Sequence, residues 1–150
     1  MVWGGISLGG HTDLHVFTQG TLNGERYRDE IFHQYVRPYA GIIGHSFLLM
    51  DDNARPHRTN VVNDYLEDQG IARIDWPSCS PDLIPIEHLW DYLGREVAAL
   101  YSPPSSLQDL RTGLQRIWYL LTNQVTDNLI ESMERRCLAC IAARGGHMLY

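Results

Sequence analysis

MDDNARPHRTNVVNDYLEDQGIARIDWPSCSPDLIPIEHLW, residues 50–90, is the stretch that decides the fold. It opens with Asp51-Asp52, which directly follow SFLLM at residues 46–50. That apolar run is too short for a helix and has the length of a buried strand. An acid at the end of such a strand lies at the sheet edge where α/β domains place ligands. Val61, Val62, Tyr65 and Leu66 then share one helical face, and Gly70 closes that helix. Residues 71–76, IARIDW, predict a second strand, and residues 77–85 a loop held by Pro77, Pro81 and Pro85. Ile86, Leu89, Trp90, Leu93 and Val97 line one face of a helix over residues 86–97, with Glu87 in its first turn.

On the amino-terminal side, residues 2–7 and the group Leu14, Val16 and Phe17 predict two strands around Gly9-Gly10. Tyr27, Ile31, Tyr35 and Val36 recur at helical spacing over residues 23–36, with Asn23 as cap and Pro38 as terminator. On the carboxy-terminal side, Ser102-Pro103-Pro104-Ser105 marks a break. Beyond it Leu107, Leu110, Leu114, Ile117 and Leu121 form a helical stripe, and a further helix is expected over residues 126–143, ended by Gly145-Gly146. The order predicts an α/β core at residues 1–100 and a helical extension of the same domain at residues 101–150.

Composition narrows the partners. Hydrophobic residues make up 44 %, which excludes a disordered chain. All 12 basic residues are arginine. Residues 1–100 hold 14 acids against 7 arginines, a net of −7, and residues 101–150 hold 4 acids against 5, a net of +1. Phosphate contacts dominate DNA affinity, so an acidic chain is not built to grip DNA through its whole surface. A catalytic domain served by a separate binding region is compatible with that balance. No apolar run reaches the ~18 residues that cross a membrane, and residues 1–13 carry no secretory pattern. Cys79, Cys137 and Cys140 are too few, and odd in number, for a disulfide scaffold, which points to a reducing compartment. Cys137 and Cys140 with His147 lack a fourth zinc ligand. Gly4-Gly5 and Gly9-Gly10 lack the fingerprint of a phosphate loop.

Asp52 and Glu87 are the candidate chemical pair. Hard divalent cations take oxygen ligands and use few protein carboxylates. In a two-metal centre one ion activates the attacking water or hydroxyl, and the other stabilises the leaving oxygen. Spacing alone leaves Asp51 as a rival to Asp52 and Asp82 as a rival to Glu87. An acid in a helix's first turn is also favoured by the helix dipole without any chemistry.

The motifs carry the reading further. Asp52, Asn53 and His57 are similar to the Asp-Asn-x-x-x-His element of the mariner superfamily of DNA transposases. Trp76, Pro77, Ser80, Pro81, Asp82, Leu83, Pro85, Ile86 and Glu87 resemble its Trp-Pro-x-x-Ser-Pro-Asp-Leu-Asn-Pro-Ile-Glu element. The 34 residues between Asp52 and Glu87 are the separation of one large branch. VWGG at residues 2–5 and RRCLACIAARGGH at residues 135–147 extend the resemblance over nearly the whole chain. It implies a ribonuclease H-like, retroviral-integrase-like fold. It also implies a DDE-type centre of three acids holding two Mg2+ or Mn2+ ions, with Asp52 and Glu87 as the second and third acids. Cleavage at transposon ends, strand transfer into target DNA, a homo-oligomer or related transposase as partner, and action in the nucleus are implied with it.

Several positions depart from the family pattern. The first family acid lies on a strand before VWGG, and no counterpart precedes Met1, nor does the family's helix-turn-helix region. The expectation is therefore a fold truncated at its first strand, with weak metal binding and no activity alone. A non-enzymatic domain that binds DNA or a transposase is the alternative. Asp13 matches no family acid, Ile84 replaces the usual Asn, and Asp51 replaces the usual Gln. His57 is placed to stack or bond beside the acids or to cap the next helix, and Asn53 to orient Asp52 or make an Asx turn. Arg55 and Arg58 flank the acids, and Arg135 and Arg136 form with Arg144 a modest basic patch; all are candidate DNA contacts. Trp76, Trp90 and Trp118 read as core or loop anchors.

Overall fold

A computed structural model describes residues 1–77, 80 and 83–144. The chain forms two compact units. The first comprises Met1–Gly5 and Thr12–Ser80, and the second Ile6–His11 and Pro81–Tyr150. The chain thus enters the second unit for six residues before the first is complete.

In the first unit, β1 (Val2–Trp3) and β4 (His15–Val16) pair antiparallel, Val2 opposite Val16 and Trp3 opposite His15. The two continuous strands expected here are replaced by two-residue ladders. Next comes α1 (Gly24–Arg26), started by the Asn23 side chain, which accepts the Arg26 N–H at 2.9 Å. The chain then runs as a π-helix over Tyr27–Val36 and continues as α2 (Arg37–Ile43). Pro38 does not end the helix as expected. The Arg37 N–H already bonds back five residues to Phe32 O, and Pro38 falls in the first turn of the new α segment, the helical position that best tolerates proline.

Residues 46–50 and 71–76 were expected to be strands, and both are corrected. Ser46 lies in a 3-10 turn, and the pairing is one parallel bridge, Leu49 with Arg73. Leu49 N–H donates to Ala72 O and Ile74 N–H to Leu49 O, each at 2.9 Å. Leu48 is 54 % exposed, so the run is not the fully buried strand its composition suggests. A 3-10 turn, Arg55–Arg58, leads into α3 (Asn60–Asp68), which ends at Gly70 with φ 63°. Val62 and Leu66 from α3 join Phe17, Tyr27, Ile31, Phe32 and Val36 as the core of this unit.

In the second unit, β2 (Ile6–Ser7) and β3 (Gly10–His11) form a hairpin. Its helices are α4 (Pro85–Ala98), α5 (Leu107–Tyr119), α6 (Asn123–Glu131) and α7 (Met133–Ala142). The first two follow the predicted stripes, although Leu107 is exposed. Leu89, Leu93, Trp118 and Leu121 are buried, and Trp90 stacks on Trp118 at 5.6 Å. Residues 126–143 form two helices, not one. The break falls at Ser132, whose hydroxyl donates to Leu129 O at 2.7 Å and so competes for a helical acceptor. The hairpin lies on α6, where Gly9 N–H donates to Asp127 Oδ1 at 2.7 Å. Among the described residues no helix is long and apolar enough to cross a membrane.

Candidate metal centre

The loop after Leu49 carries the acids in the first unit. Asp52 is the half-exposed one, with 47 % of its side chain accessible. Its Oδ1 accepts the Ala54 N–H at 3.0 Å, an Asx-type turn made by Asp52 itself. His57 Nδ1 lies 2.5 Å from the same oxygen. That approach is off the direction of a good hydrogen bond, so it is a close polar contact and not an aligned one. Oδ2 takes no hydrogen bond from the described residues. Asn53 does not bond Asp52: its Nδ2 donates to Trp76 O at 2.8 Å, tying the acidic loop to the start of the proline loop.

Asp51 is a different kind of acid. It is 8 % exposed, with Arg58 Nη2 at 3.5 Å from Oδ1 and Arg73 Nη1 at 3.6 Å from Oδ2. Burial pushes its carboxyl above the usual range; Arg73, His57 and Arg58 pull the other way, and Asp52 adds to the rise. Of the two adjacent acids, Asp51 is thus buried among arginines and Asp52 is accessible.

Arg73 binds the loop from below. Its Nη1 donates to His57 O at 2.9 Å, and its Nη2 donates to Asn63 Oδ1 on α3. Tyr27 covers the other side, stacked on the His57 ring with centroids 4.1 Å apart and planes 18° off parallel. Its phenol is raised well above the usual tyrosine range by burial, with Asp51 and Asp52 adding and the Trp3 hydrogen bond opposing. Neither residue was singled out from the sequence. Tyr27 looked like any apolar helical position. Arg73 had a legible signal, since a charge inside the apolar run IARIDW needs a partner.

Glu87 belongs to the second unit, an exposed residue in the first turn of α4, with its N–H donating to Ile84 O at 3.2 Å. Asp82, its rival, lies outside the described residues, as do Cys79 and His147. Arg55 is exposed beside the acidic loop. Arg135 is exposed on α7, but Arg136 is 5 % exposed, and its Nη2 donates to Leu129 O and meets Met133 Sδ, each at 3.1 Å. The expected surface patch therefore loses Arg136 to the interior. Cys137 and Cys140 are free and half-buried. Among the described residues no three His, Cys, Asp or Glu side chains are grouped to hold a metal ion.

Residues 1–111 match the family model of the DDE superfamily endonucleases. The chain belongs to this family. It is homologous to the catalytic domains of the mariner/Tc1 transposases. It is 34 % identical over 146 residues to the Tc1 transposase of Caenorhabditis elegans, covering 97 % of this chain and 52 % of that protein. Identity to the Tc3 transposase of the same organism is 30 % over 153 residues, covering 100 % and 45 %. The chain thus spans about half the length of the curated relatives it matches. Among solved structures, the catalytic domain of the Mos1 mariner transposase superposes with a TM-score of 0.84 at 21 % identity, covering 99 % of this chain and 75 % of that one. The Mos1 paired-end complex with Mn gives 0.74 at 21 % identity, covering 87 % and 39 %. The fold of this chain is ribonuclease H-like and integrase-like, with small open sheets and a helical carboxy-terminal region.

Proposed function

We propose that this chain is part of a transposase catalytic domain in which Asp52 and Glu87 supply two oxygen donors to Mg2+ or Mn2+. One observation carries the reading. Within a matched DDE endonuclease region, Asp52 is an accessible carboxylate held through Oδ1, with Oδ2 free of hydrogen bonds from the described residues. The donor chemistry fits a hard cation, because carboxylate oxygens are its preferred ligands. When bound, such ions activate an attacking hydroxyl or water and stabilise the leaving oxygen of a phosphodiester. Asp52 and Glu87 would bind and orient the metal, and Asn53 ties the Asp52 loop to the Trp76 carbonyl.

Among the described residues no three His, Cys, Asp or Glu side chains are grouped to hold a metal ion, and few donors hold a cation weakly. The purified chain is therefore expected to bind metal weakly and not to cut transposon ends alone. DNA is the partner this function requires, together with a second transposase copy, in the nucleus. Arg55 and Arg135, both exposed, are the candidate phosphate contacts, and Arg58 is drawn inward toward Asp51. A net charge of −6 fits a domain that relies on other regions for DNA affinity.

The test is a Mn2+ titration of the wild type, Asp52→Asn and Glu87→Gln, read by water-proton relaxation. Each variant should weaken binding by about tenfold or more. Three identical titrations would overturn the metal reading and favour a DNA- or transposase-binding domain without catalysis.

A further inference from the structure

We propose that Tyr27 is a positioning residue for Asp52, acting through His57; the inference rests on the metal-ligand reading of Asp52 above. All three residues belong to the first unit. Asp52 lies on a loop, is half exposed, and would sample several rotamers if left alone. Two groups close on Oδ1: the Ala54 N–H, which donates a hydrogen bond, and the His57 ring nitrogen, which makes the close, unaligned polar contact. The second is only as fixed as the ring that bears it.

The His57 ring is held at its backbone and on its face. The backbone is anchored at both ends of the residue, since its N–H donates to Ala54 O and its carbonyl accepts Arg73 Nη1, each at 2.9 Å. The Tyr27 phenol supplies the face, at 4.1 Å and nearly parallel. Tyr27 itself is packed into the core: it is 2 % exposed and backed edge-on by Phe32 at 4.8 Å. A core tyrosine needs no face-on imidazole to be buried. The stack turns a rigid core position into a fixed orientation for a ring whose edge touches the acid. Outer partners that orient ligating side chains typically change metal affinity by about 10–100-fold when removed.

The test uses Mn2+ affinity of the whole chain with Tyr27→Phe, Tyr27→Met, His57→Phe and the Tyr27→Met/His57→Phe double variant. Tyr27→Phe keeps the stacked ring and should bind within about twofold of wild type. Tyr27→Met and His57→Phe should each weaken Mn2+ by about tenfold. The double variant should also lose about tenfold, not a hundredfold, because the two act on one restraint. The His57 ring protons should move downfield in Tyr27→Met and stay in place in Tyr27→Phe, a shift that core packing alone would not give. Additive losses in the double variant would overturn the proposal. Wild-type affinity in His57→Phe would overturn it even if Tyr27→Met failed to fold. The two readings fail separately. Asp52→Asn titrating like wild type removes the metal site, whereas a weakened Asp52→Asn beside an unchanged Tyr27→Met removes only the role of Tyr27.

Discussion

Replacing Arg73 with Met should destabilise the first unit by about 3 kcal/mol. Arg73 is 13 % exposed at its side chain, donates to His57 O and Asn63 Oδ1, and makes an ion pair with Asp51 Oδ2 at 3.6 Å. Met fills much of the volume, so the loss is polar. Asn63 is exposed and regains water, so its share is small. The carbonyl of His57 loses a charged donor, a change worth roughly 1.5–3 kcal/mol. Asp51 is the larger concern. Breaking a buried ion pair by removing one partner costs about 3–5 kcal/mol, because a charge is left behind. Here Arg58 remains at 3.5 Å, which moves the total toward the lower end of that range. Urea unfolding of wild type and variant gives the difference directly, provided the m-value is unchanged. Adding Asp51→Asn to Arg73→Met removes the stranded charge and should recover at least about 1 kcal/mol. A loss below about 1 kcal/mol, or a double variant equal to the sum of the singles, would refute the claim that this triad holds the acidic loop.

Two further outcomes follow from named contacts. Ala at a helical Gly site ordinarily adds up to about 1 kcal/mol of stability, but Gly24→Ala should lower the melting temperature. Its Cβ would overlap Thr59 Oγ1 and come within 2.8 Å of Thr59 Cβ and Cγ2, so a raised melting temperature would contradict the packing of α1 on the start of α3. Glu30 is held below its usual range first by its hydrogen bond with Arg26, against burial, and with help from His15. A depressed carboxylate contributes stability that is present above the unfolded value of 4.5 and is lost as pH falls through the folded value. Glu30→Gln should therefore be less stable than wild type at neutral pH and match it in strong acid. Parallel urea-midpoint curves over that range would show the Arg26–Glu30–His15 contact to be idle.

The sequence was most legible where one physical rule dominated. The helices α3 and α4 follow from apolar spacing, and Val62, Leu66, Leu89 and Leu93 are buried as that spacing requires. Pattern failed where partners decided the outcome. SFLLM has the composition of a strand, yet only Leu49 finds a ladder partner, and Leu48 faces outward. The π-helix was unreadable because its five-residue register differs from an α-helix only in which carbonyl each N–H chooses. That register has a visible result: Glu30 and Tyr35, five apart, both reach the ring of His15, each at 3.2 Å. In the site, the motif singled out Asp52, Asn53 and His57. Their partners Tyr27 and Arg73 come from other elements and could be found only in three dimensions.

The early excursion of Ile6–His11 into the second unit has a consequence for synthesis. Gly9 leaves the ribosome 118 residues ahead of Asp127, which accepts its N–H. At roughly 5–20 residues per second, that hairpin waits about 6–24 s for the helix it docks on. No amino-terminal intermediate can close the second unit in the meantime, and a chain stalled after Ser80 would carry a hairpin with nowhere to dock. Maturation of this domain is thus gated by its last third, a timing constraint set by connectivity alone.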